Sequence, residues 1–436
     1  MKVLLVQADL CGRREPIYPI GLSYIATALK EHEVRIFDPN AAENDLSKLE
    51  ETAASFKPDV LGLSLRNIRL ITETGRFILY EDQLRPIIAV IKRVAPEIKV
   101  IIGGSGYSMF PEQIMRREPD VDFGVFLDGD ESTPELLENL SSPEKVKGLY
   151  IRKGDDIIYT GDRSMPEFGS LPIPRRDLLD ITKYFGRPDA IGVQTKRGCP
   201  LHCVYCVYPY LAGYRFGLRP VKSIVDEVEE LQNKYHVKNI MFVDSIFNVP
   251  QDHAEEICKE MLKRGLKVRW TAYFNEKNVT EEFMLLCRDA GCFEFFFSPD
   301  SYSNKTLKMF GKDFQTKDII KAYKIARKHK GIIMRYNFML NVPGESALSL
   351  ARMAFFILRA KIFLRGNLSG ILVGRPHIEP HTELYNIALK EGIIDKDTNL
   401  LQPVIYSYPG VGYLDPIMKL LSLMSKAGKK LLSLAK

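Results

Sequence analysis

Three cysteines, Cys199, Cys203 and Cys206, fall within eight residues of one another in the segment RGCPLHCVYCVYP. The chain has seven cysteines in all; the other four, Cys11, Cys258, Cys287 and Cys292, are scattered as buried free thiols usually are. In a reducing compartment such clustering points to metal or redox chemistry rather than to disulfides. Structural zinc sites take four ligands, usually as two separated pairs. Here no second C-x2-C pair exists, and His202, the one extra donor in the segment, is held between two of the cysteines at a strained spacing. Three thiolates on a cubane cluster leave one iron without a protein ligand. An open metal position of that kind takes up polar groups of a substrate or cofactor.

The elements that must position these thiols alternate along the chain. KVLLVQA, EVRIFDP, VLGLSL, KVIIGG and the start of GVFLDGDESTPELLENL read as buried strands, separated by amphipathic helical stretches such as GLSYIATALKEH and LRPIIAVIKRVAP. This pattern predicts an open parallel α/β sheet over residues 1–142, covered by helices on both faces. Ligands in such sheets bind beyond the carboxyl ends of the strands, here at the tips SLRN and GGSG. Residues 143–189 read as a connector, with a hairpin around Gly154 and the stiff run LPIPRRDLLD. Six further strands, AIGVQTKRG, NIMFVDS, KVRWTAYF, CFEFFFSPDS, IIMRYNFML and SGILVGR, predict a partial (β/α)6 barrel over residues 190–380, with the cysteines directly after its first strand. Residues 381–436 form a small C-terminal extension that ends in a basic amphipathic helix with Lys419, Lys426, Lys429, Lys430 and Lys436. That helix is either a docked terminal helix with a solvated lysine face or a peripheral contact with an anionic membrane.

A net charge of +6, from 61 basic and 55 acidic residues, gives no reason to expect a nucleic-acid partner. No run reaches the roughly 18 apolar residues of a membrane span. The opening MKVLLVQADL shows no cleavable signal, so the expected location is cytoplasmic.

The C-x3-C-φ-C spacing with Tyr205 at φ resembles the radical SAM superfamily, over roughly residues 190–380. The resemblance implies a 4Fe-4S cluster on Cys199, Cys203 and Cys206, whose open iron chelates S-adenosylmethionine and releases a 5′-deoxyadenosyl radical on reduction. It also implies an external electron donor such as flavodoxin or ferredoxin. By position in the motifs it places Tyr205, Asp244 and Ser245 of FVDSIFN, and Ser298 and Asp300 of FFFSPDS, at SAM. The plainer reading of Asp244 and Asp300 is capping or turn chemistry. RYNFMLNVPGE resembles the family's fifth-strand block with Asn341 in place of glycine, and HIEPHTELY its end-of-barrel block with His381 in place of glycine. His377 and His381 either face the pocket or are surface loop residues.

The first domain resembles the Rossmann-like domain of cobalamin-binding radical SAM enzymes (the class B methyltransferase type) through PIGLSYIATAL, DVLGLSLRN, VIIGGSGYSMFPEQIM and GVFLDGDESTPELL. Carried over by position, Ser64, Leu65, Arg66 and Asn67 lie near the corrin's lower face. Gly103, Gly104 and Ser105 approach its nucleotide tail, and Gly129, Asp130 and Glu131 form the last contact loop. Leu127 and Asp128 stand where the family commonly has Gly-Glu, and the histidine motif for lower-face cobalt ligation is missing. No protein histidine is therefore expected on cobalt, with Arg66 or Arg69 shielding that face instead. The plainer reading is a domain that keeps the fold without the cofactor. The expected function is radical methylation of an unactivated carbon in a small-molecule, lipid or natural-product substrate. Ring closure, oxidation or rearrangement is the alternative with the same cofactors, and a non-catalytic cobalamin or redox sensor the alternative of another class.

Overall fold

The computed structural model describes residues 1–8, 15–71, 77–277 and 279–414. Cys11 and the basic tail lie outside the described residues. The chain forms two compact units, Met1–Gly192 and Val193–Lys436.

In the first unit, β1 (Lys2–Gln7), β2 (Glu33–Phe37), β3 (Val60–Ser64), β4 (Lys99–Gly103) and β5 (Phe123–Val125) lie side by side in the order β2-β1-β3-β4-β5, every pair parallel. The helices α1 (Ile20–Ala28), α2 (Leu46–Phe56), α3 (Tyr80–Val94), α4 (Ser105–Met109), α5 (Pro111–Arg117) and α6 (Ser132–Glu138) alternate with them, as the periodicity predicts. β1 and β3 are continuous apolar runs because both faces of a central parallel strand are covered.

The stretch read as a connector is part of this unit. The hairpin around Gly154 forms, but its strands β6 (Leu149–Lys153) and β7 (Asp156–Tyr159) extend the sheet antiparallel beyond β5. The physical reason is alternation: Leu149 and Ile151 point into the core made by Val3, Leu5, Val60, Ile101 and Phe123. Farther along, the Tyr184 hydroxyl donates to Asp38 at 2.8 Å, and an Arg176 guanidinium N–H donates to the Gly192 carbonyl at 2.7 Å.

The second unit holds six strands in sequence order, β8 (Gly192–Val193), β9 (Asn239–Phe242), β10 (Arg269–Phe274), β11 (Cys292–Asp300), β12 (Met334–Met339) and β13 (Leu368–Gly374), with the pairs from β9 to β13 all parallel. Between and after them run α7 (Tyr208–Ala212), α8 (Val221–Asn233), α9 (Gln251–Lys263), α10 (Glu281–Asp289), α11 (Asn304–Met309), α12 (Thr316–Lys328), α13 (Ala347–Phe363) and α14 (Glu383–Lys390). An aromatic cluster fills one side of the sheet: buried Trp270 meets Phe242 and Phe247 at ring separations of 5.1 and 4.9 Å, and its indole N–H donates to the Ala290 carbonyl at 2.8 Å. β8 is shorter than the run AIGVQTKRG suggests. After Val193 the chain leaves the parallel ladder, and Lys196–Arg197 pairs antiparallel with Gly217–Leu218. That second pairing closes the base of the cysteine loop.

Candidate active site

The loop that carries the cysteines is clamped at both ends. Gly198 sits at φ 90°, and a Cβ there would lie 1.9 Å from the Arg215 carbonyl oxygen, so only glycine fits. The Cys199 N–H donates to Gly213 O at 3.0 Å, and the Cys206 N–H to Cys203 O at 3.0 Å. From outside the loop, Phe310 O accepts from the Val204 N–H at 3.2 Å, and the Leu384 N–H donates to Val204 O at 2.7 Å. Gly311 lies flush against the loop, since a Cβ on it would meet His202 O at 2.1 Å.

All three cysteines are free thiols. Burial pushes Cys203 up to about 11, a shift that the Lys312 cation opposes while Asp300, Cys206 and Cys199 add to it. Burial also raises Cys206. The protein surroundings alone therefore keep Cys203 and Cys206 protonated, and a positively charged iron centre is what would make them thiolates. His202 stacks on Tyr214 with ring centroids 5.8 Å apart. Among the described residues no three His, Cys, Asp or Glu side chains gather around a single-ion position. Three free thiols on one clamped loop, with no fourth ligand beside them among the described residues, fit a cluster that keeps one iron open.

The residues predicted for SAM divide into two groups. Asp244 is buried, and its carboxylate accepts from the Thr195 N–H at 2.8 Å, the Thr195 hydroxyl at 2.5 Å and the Lys196 N–H at 3.2 Å. Ser245 donates to Gly198 O at 3.0 Å. Both hold the strand that leads into the cysteine loop. Tyr205, Ser298 and Asp300 are instead brought together by a residue the sequence does not single out, Lys312. Its ammonium lies 2.5 Å from the Asp300 carboxylate and donates to Ser298 O at 3.1 Å and to the Tyr205 hydroxyl at 3.3 Å. Tyr205 also donates to Asp300 at 2.8 Å and stacks on Phe310 at 4.8 Å. Burial works against the Lys312 charge, but Asp300, Tyr205 and Cys203 outweigh it and hold the ammonium well above its ordinary value.

Glu276, just past the end of β10, is the second residue without a sequence signal. It is buried, burial pushes it up to about 8, and its Oε1 has no hydrogen-bond partner. Asp300 Oδ1 is likewise unpaired. Two buried acceptors near one cation present hydrogen-bonding capacity to a ligand that brings donors. A lone lysine in MFGKDF or glutamate in FNEKN reads as solvated loop, and only the tertiary contacts distinguish them from surface charges.

In the first unit the predicted loops meet at the carboxyl ends of β3 and β4. The Leu65 N–H donates to Gly103 O at 2.8 Å, the Gly106 N–H to Leu65 O at 2.9 Å, and the Ser105 hydroxyl to Arg66 O at 2.9 Å. Gly104 has φ 103°, and a Cβ there would strike Leu65 O at 2.6 Å. Leu65 is fully buried and belongs to the core, whereas Arg66 and Ser105 are exposed at the loop tips and Ser64 and Asn67 half-buried. Gly129 caps the third loop, where the Thr133 N–H donates to its carbonyl at 3.1 Å. Beside it Asp130 is buried, and exposed Glu131 pairs with Arg163 at 3.2 Å. Arg69 lies in a short strand, Arg69–Ile71, paired with Phe77–Leu79. His32 precedes β2 at the amino-terminal edge of the sheet, 3.4 Å from the N-terminal amine, and so cannot serve these loops. Their glycine-lined backbone fits a bulky cofactor that approaches the carboxyl edge.

Three departures from the family motifs share one conformation. Leu127, Asn341 and His381, each standing where glycine is usual, have φ of 63°, 61° and 61°. The loops thus keep a glycine-type backbone without glycine. Asn341 is secured by its amide to the Ser407 hydroxyl at 2.7 Å, and Leu127 by its N–H to the Ser108 hydroxyl at 2.9 Å. His381 stacks on Tyr210 at 3.9 Å, next to the cysteine loop. His377 forms an isolated bridge with Ile405.

Known proteins match both units. Residues 13–137 match the B12 binding domain, and residues 193–357 the Radical SAM superfamily. An uncharacterized methyltransferase of Pyrococcus horikoshii is 26% identical over 99% of this chain and 91% of its own. An anaerobic magnesium-protoporphyrin IX monomethyl ester cyclase of Rubrivivax gelatinosus is 24% identical over 79% of this chain and 62% of its own. The fold is similar to that of the radical S-adenosylmethionine methyltransferase TsrM of Kitasatospora setae, solved with tryptophan and a SAM analog (TM-score 0.81, 20% identity, 97% of this chain and 88% of that one). TsrM with cobalamin and a [4Fe-4S] cluster bound gives a TM-score of 0.79 at 20% identity, over 94% of this chain and 84% of that one. The cysteine loop at the head of a six-stranded parallel sheet, preceded by an open α/β unit, is therefore the signature of a radical SAM superfamily enzyme that carries a B12 binding domain.

Proposed function

We propose that this chain is a cobalamin-dependent radical SAM methyltransferase that acts on a carbon of a small-molecule substrate. The observation that carries this reading is the clamped loop of three free thiols, with no fourth ligand among the described residues, in a chain that also matches the B12 binding domain. Similarity to a named methyltransferase along 99% of the chain supports the reaction class. The bound cofactors supply the chemistry, a 5′-deoxyadenosyl radical from the cluster with SAM and a transferable methyl group from cobalamin.

The protein's part is to bind and orient. Cys199, Cys203 and Cys206 hold the cluster. Tyr205, Ser298, Asp300 and Lys312 form the polar wall beside it, and the open oxygens of Asp300 and Glu276 accept donors from SAM. Asp244 and Ser245 act indirectly, by fixing the loop. Ser64, Arg66, Asn67, Gly103, Gly104, Ser105, Gly129, Asp130 and Glu131 form the rim that receives cobalamin, with Leu65 supporting it from the core. Electrons come from an external flavodoxin- or ferredoxin-type donor.

A second reading, ring closure with the same cofactors, draws on the similarity to the cyclase. Anaerobic reconstitution with SAM and candidate substrates, followed by mass analysis, separates the two. S-adenosylhomocysteine together with 5′-deoxyadenosine and a product heavier by one methylene supports methylation. 5′-Deoxyadenosine without S-adenosylhomocysteine replaces it with the ring-closure reading.

A further inference from the structure

The outer surface of the second unit carries an apolar helix face that nothing in the catalytic reading uses. α13 buries Leu350, Met353, Phe356 and Ile357 on its inner side, as a helix that covers a sheet must. Its outer side, however, is also apolar: Leu348, Phe355, Leu358, Ile362 and Phe363 are 59%, 66%, 47%, 50% and 52% exposed. Single exposed hydrophobics are ordinary on soluble proteins, but five bulky ones aligned on one helix are not.

The charge around this face is mostly basic. Residues 346–366 contain no Asp or Glu but hold Arg352, Arg359, Lys361 and Arg365. α12 packs alongside α13: Arg359 lies 5.0 Å over the Tyr323 ring, Arg327 5.0 Å over the Phe363 ring, and Tyr323 meets Phe356 at 5.9 Å. On the solvent side of α12, Lys317, Lys321 and Lys324 form an exposed stripe at helical spacing. The one acid of α12, Asp318, is taken up by the Gln315 N–H at 2.8 Å.

We infer that the α12–α13 surface rests on an anionic phospholipid membrane, with the α13 hydrophobics inserted at the interface and the α12 lysines among the headgroups. A helix whose outward side is rich in Leu and Phe and is bordered by a surplus of basic residues suits an interfacial contact. A second copy of the chain suits the face poorly, because self-association would bring these cations against their equals. A nucleic acid satisfies the charges but leaves Leu348, Leu358 and Ile362 without partners. No helix among the described residues is long and apolar enough to cross a membrane, so the contact is with one leaflet.

Vesicle flotation of the full chain, reconstituted anaerobically, tests this. Vesicles of phosphatidylcholine with phosphatidylglycerol should carry the protein, and pure phosphatidylcholine vesicles or high salt should release it. Lys317→Glu/Lys321→Glu/Lys324→Glu should weaken binding on the order of a hundredfold, at about 1 kcal/mol per basic residue. Phe355→Ser/Ile362→Ser should abolish it while the iron–sulfur absorption band remains, which shows that the fold persists. The inference is overturned if the full chain ignores the anionic vesicles. It is equally overturned if deletion of residues 415–436 abolishes binding while the α12 and α13 variants leave it intact, since the tail then carries it alone. Conversion of a wild-type dimer into a monomer by Phe355→Ser/Ile362→Ser would assign the face to a second copy and overturn it as well.

Discussion

At the scale of single residues, the site depends on buried charge more than on the three cysteines alone. Lys312 is the one cation bonded to Tyr205, Ser298 and Asp300 together. Lys312→Met leaves the Asp300 carboxylate buried without its cation, with only the Tyr205 hydroxyl still donating to it, an imbalance that costs about 3–5 kcal/mol of stability. The companion variant Lys312→Met/Asp300→Asn removes both charges and should recover most of that loss, as read by denaturant unfolding of the cluster-free protein. Glu276 is shifted in the opposite direction from the ion-paired surface acids Glu50 and Asp226, which are lowered. Its folded value of about 8 lies above the usual 4.5, because burial disfavours the carboxylate. Stability from this group is complete below about pH 4.5 and is lost as pH rises through about 8. Glu276→Gln should therefore raise the unfolding free energy of the cluster-free protein, read by denaturant titration, with a gain that widens from pH 5 to pH 8 and reaches roughly 3–5 kcal/mol. A gain independent of pH would exclude this group as its source. Neither residue was legible in the sequence, because a lysine after a glycine and a glutamate in a turn carry no periodicity.

At the scale of elements, the cysteine loop is held by what surrounds its two ends. Arg219 does this from beneath: its N–H donates to Thr195 O at 3.0 Å, and its guanidinium to Gln194 O at 2.8 Å and to Glu227 at 2.7 Å, in an ion pair whose side chains are each 1% exposed. Arg219→Met strands the Glu227 carboxylate and should destabilise the second unit by about 3–5 kcal/mol. The same variant should lower the iron bound per chain after reconstitution, whereas Lys222→Ala, at an exposed pair on α8 (the helix of Glu227), should change neither quantity. The parallel strands were legible from their unbroken apolar runs. The hairpin was legible as a hairpin, but its membership in the first sheet was not, since alternation says only that one face is buried and not against what. α13 escaped the periodicity because it is apolar on both its buried and its exposed sides.

At the scale of the whole molecule, each unit has its own sheet and its own ligand loops, so the two cofactor sites should fail separately. Gly104→Ala puts a Cβ against Leu65 O. It should lower the cobalamin retained per chain at least about tenfold without changing the iron–sulfur absorption. Cys203→Ala should remove that absorption and SAM cleavage but leave cobalamin binding intact, and parallel loss of both cofactors in either variant would contradict independent sites. The sequence by itself determined the chemistry class, because three thiols at C-x3-C-x2-C are a local pattern that survives without coordinates. It also determined the order of the parallel strands along the chain, since hydrophobic periodicity is local too. Only the tertiary structure decided which of the candidate polar residues meet. Asp244 turned out to brace the loop, while Tyr205, Ser298 and Asp300 converge on Lys312. It showed as well that Leu127, Asn341 and His381 keep glycine's left-handed backbone without glycine. Those outcomes rest on contacts between residues up to 107 positions apart, such as Tyr205 with Lys312, and no local pattern specifies them.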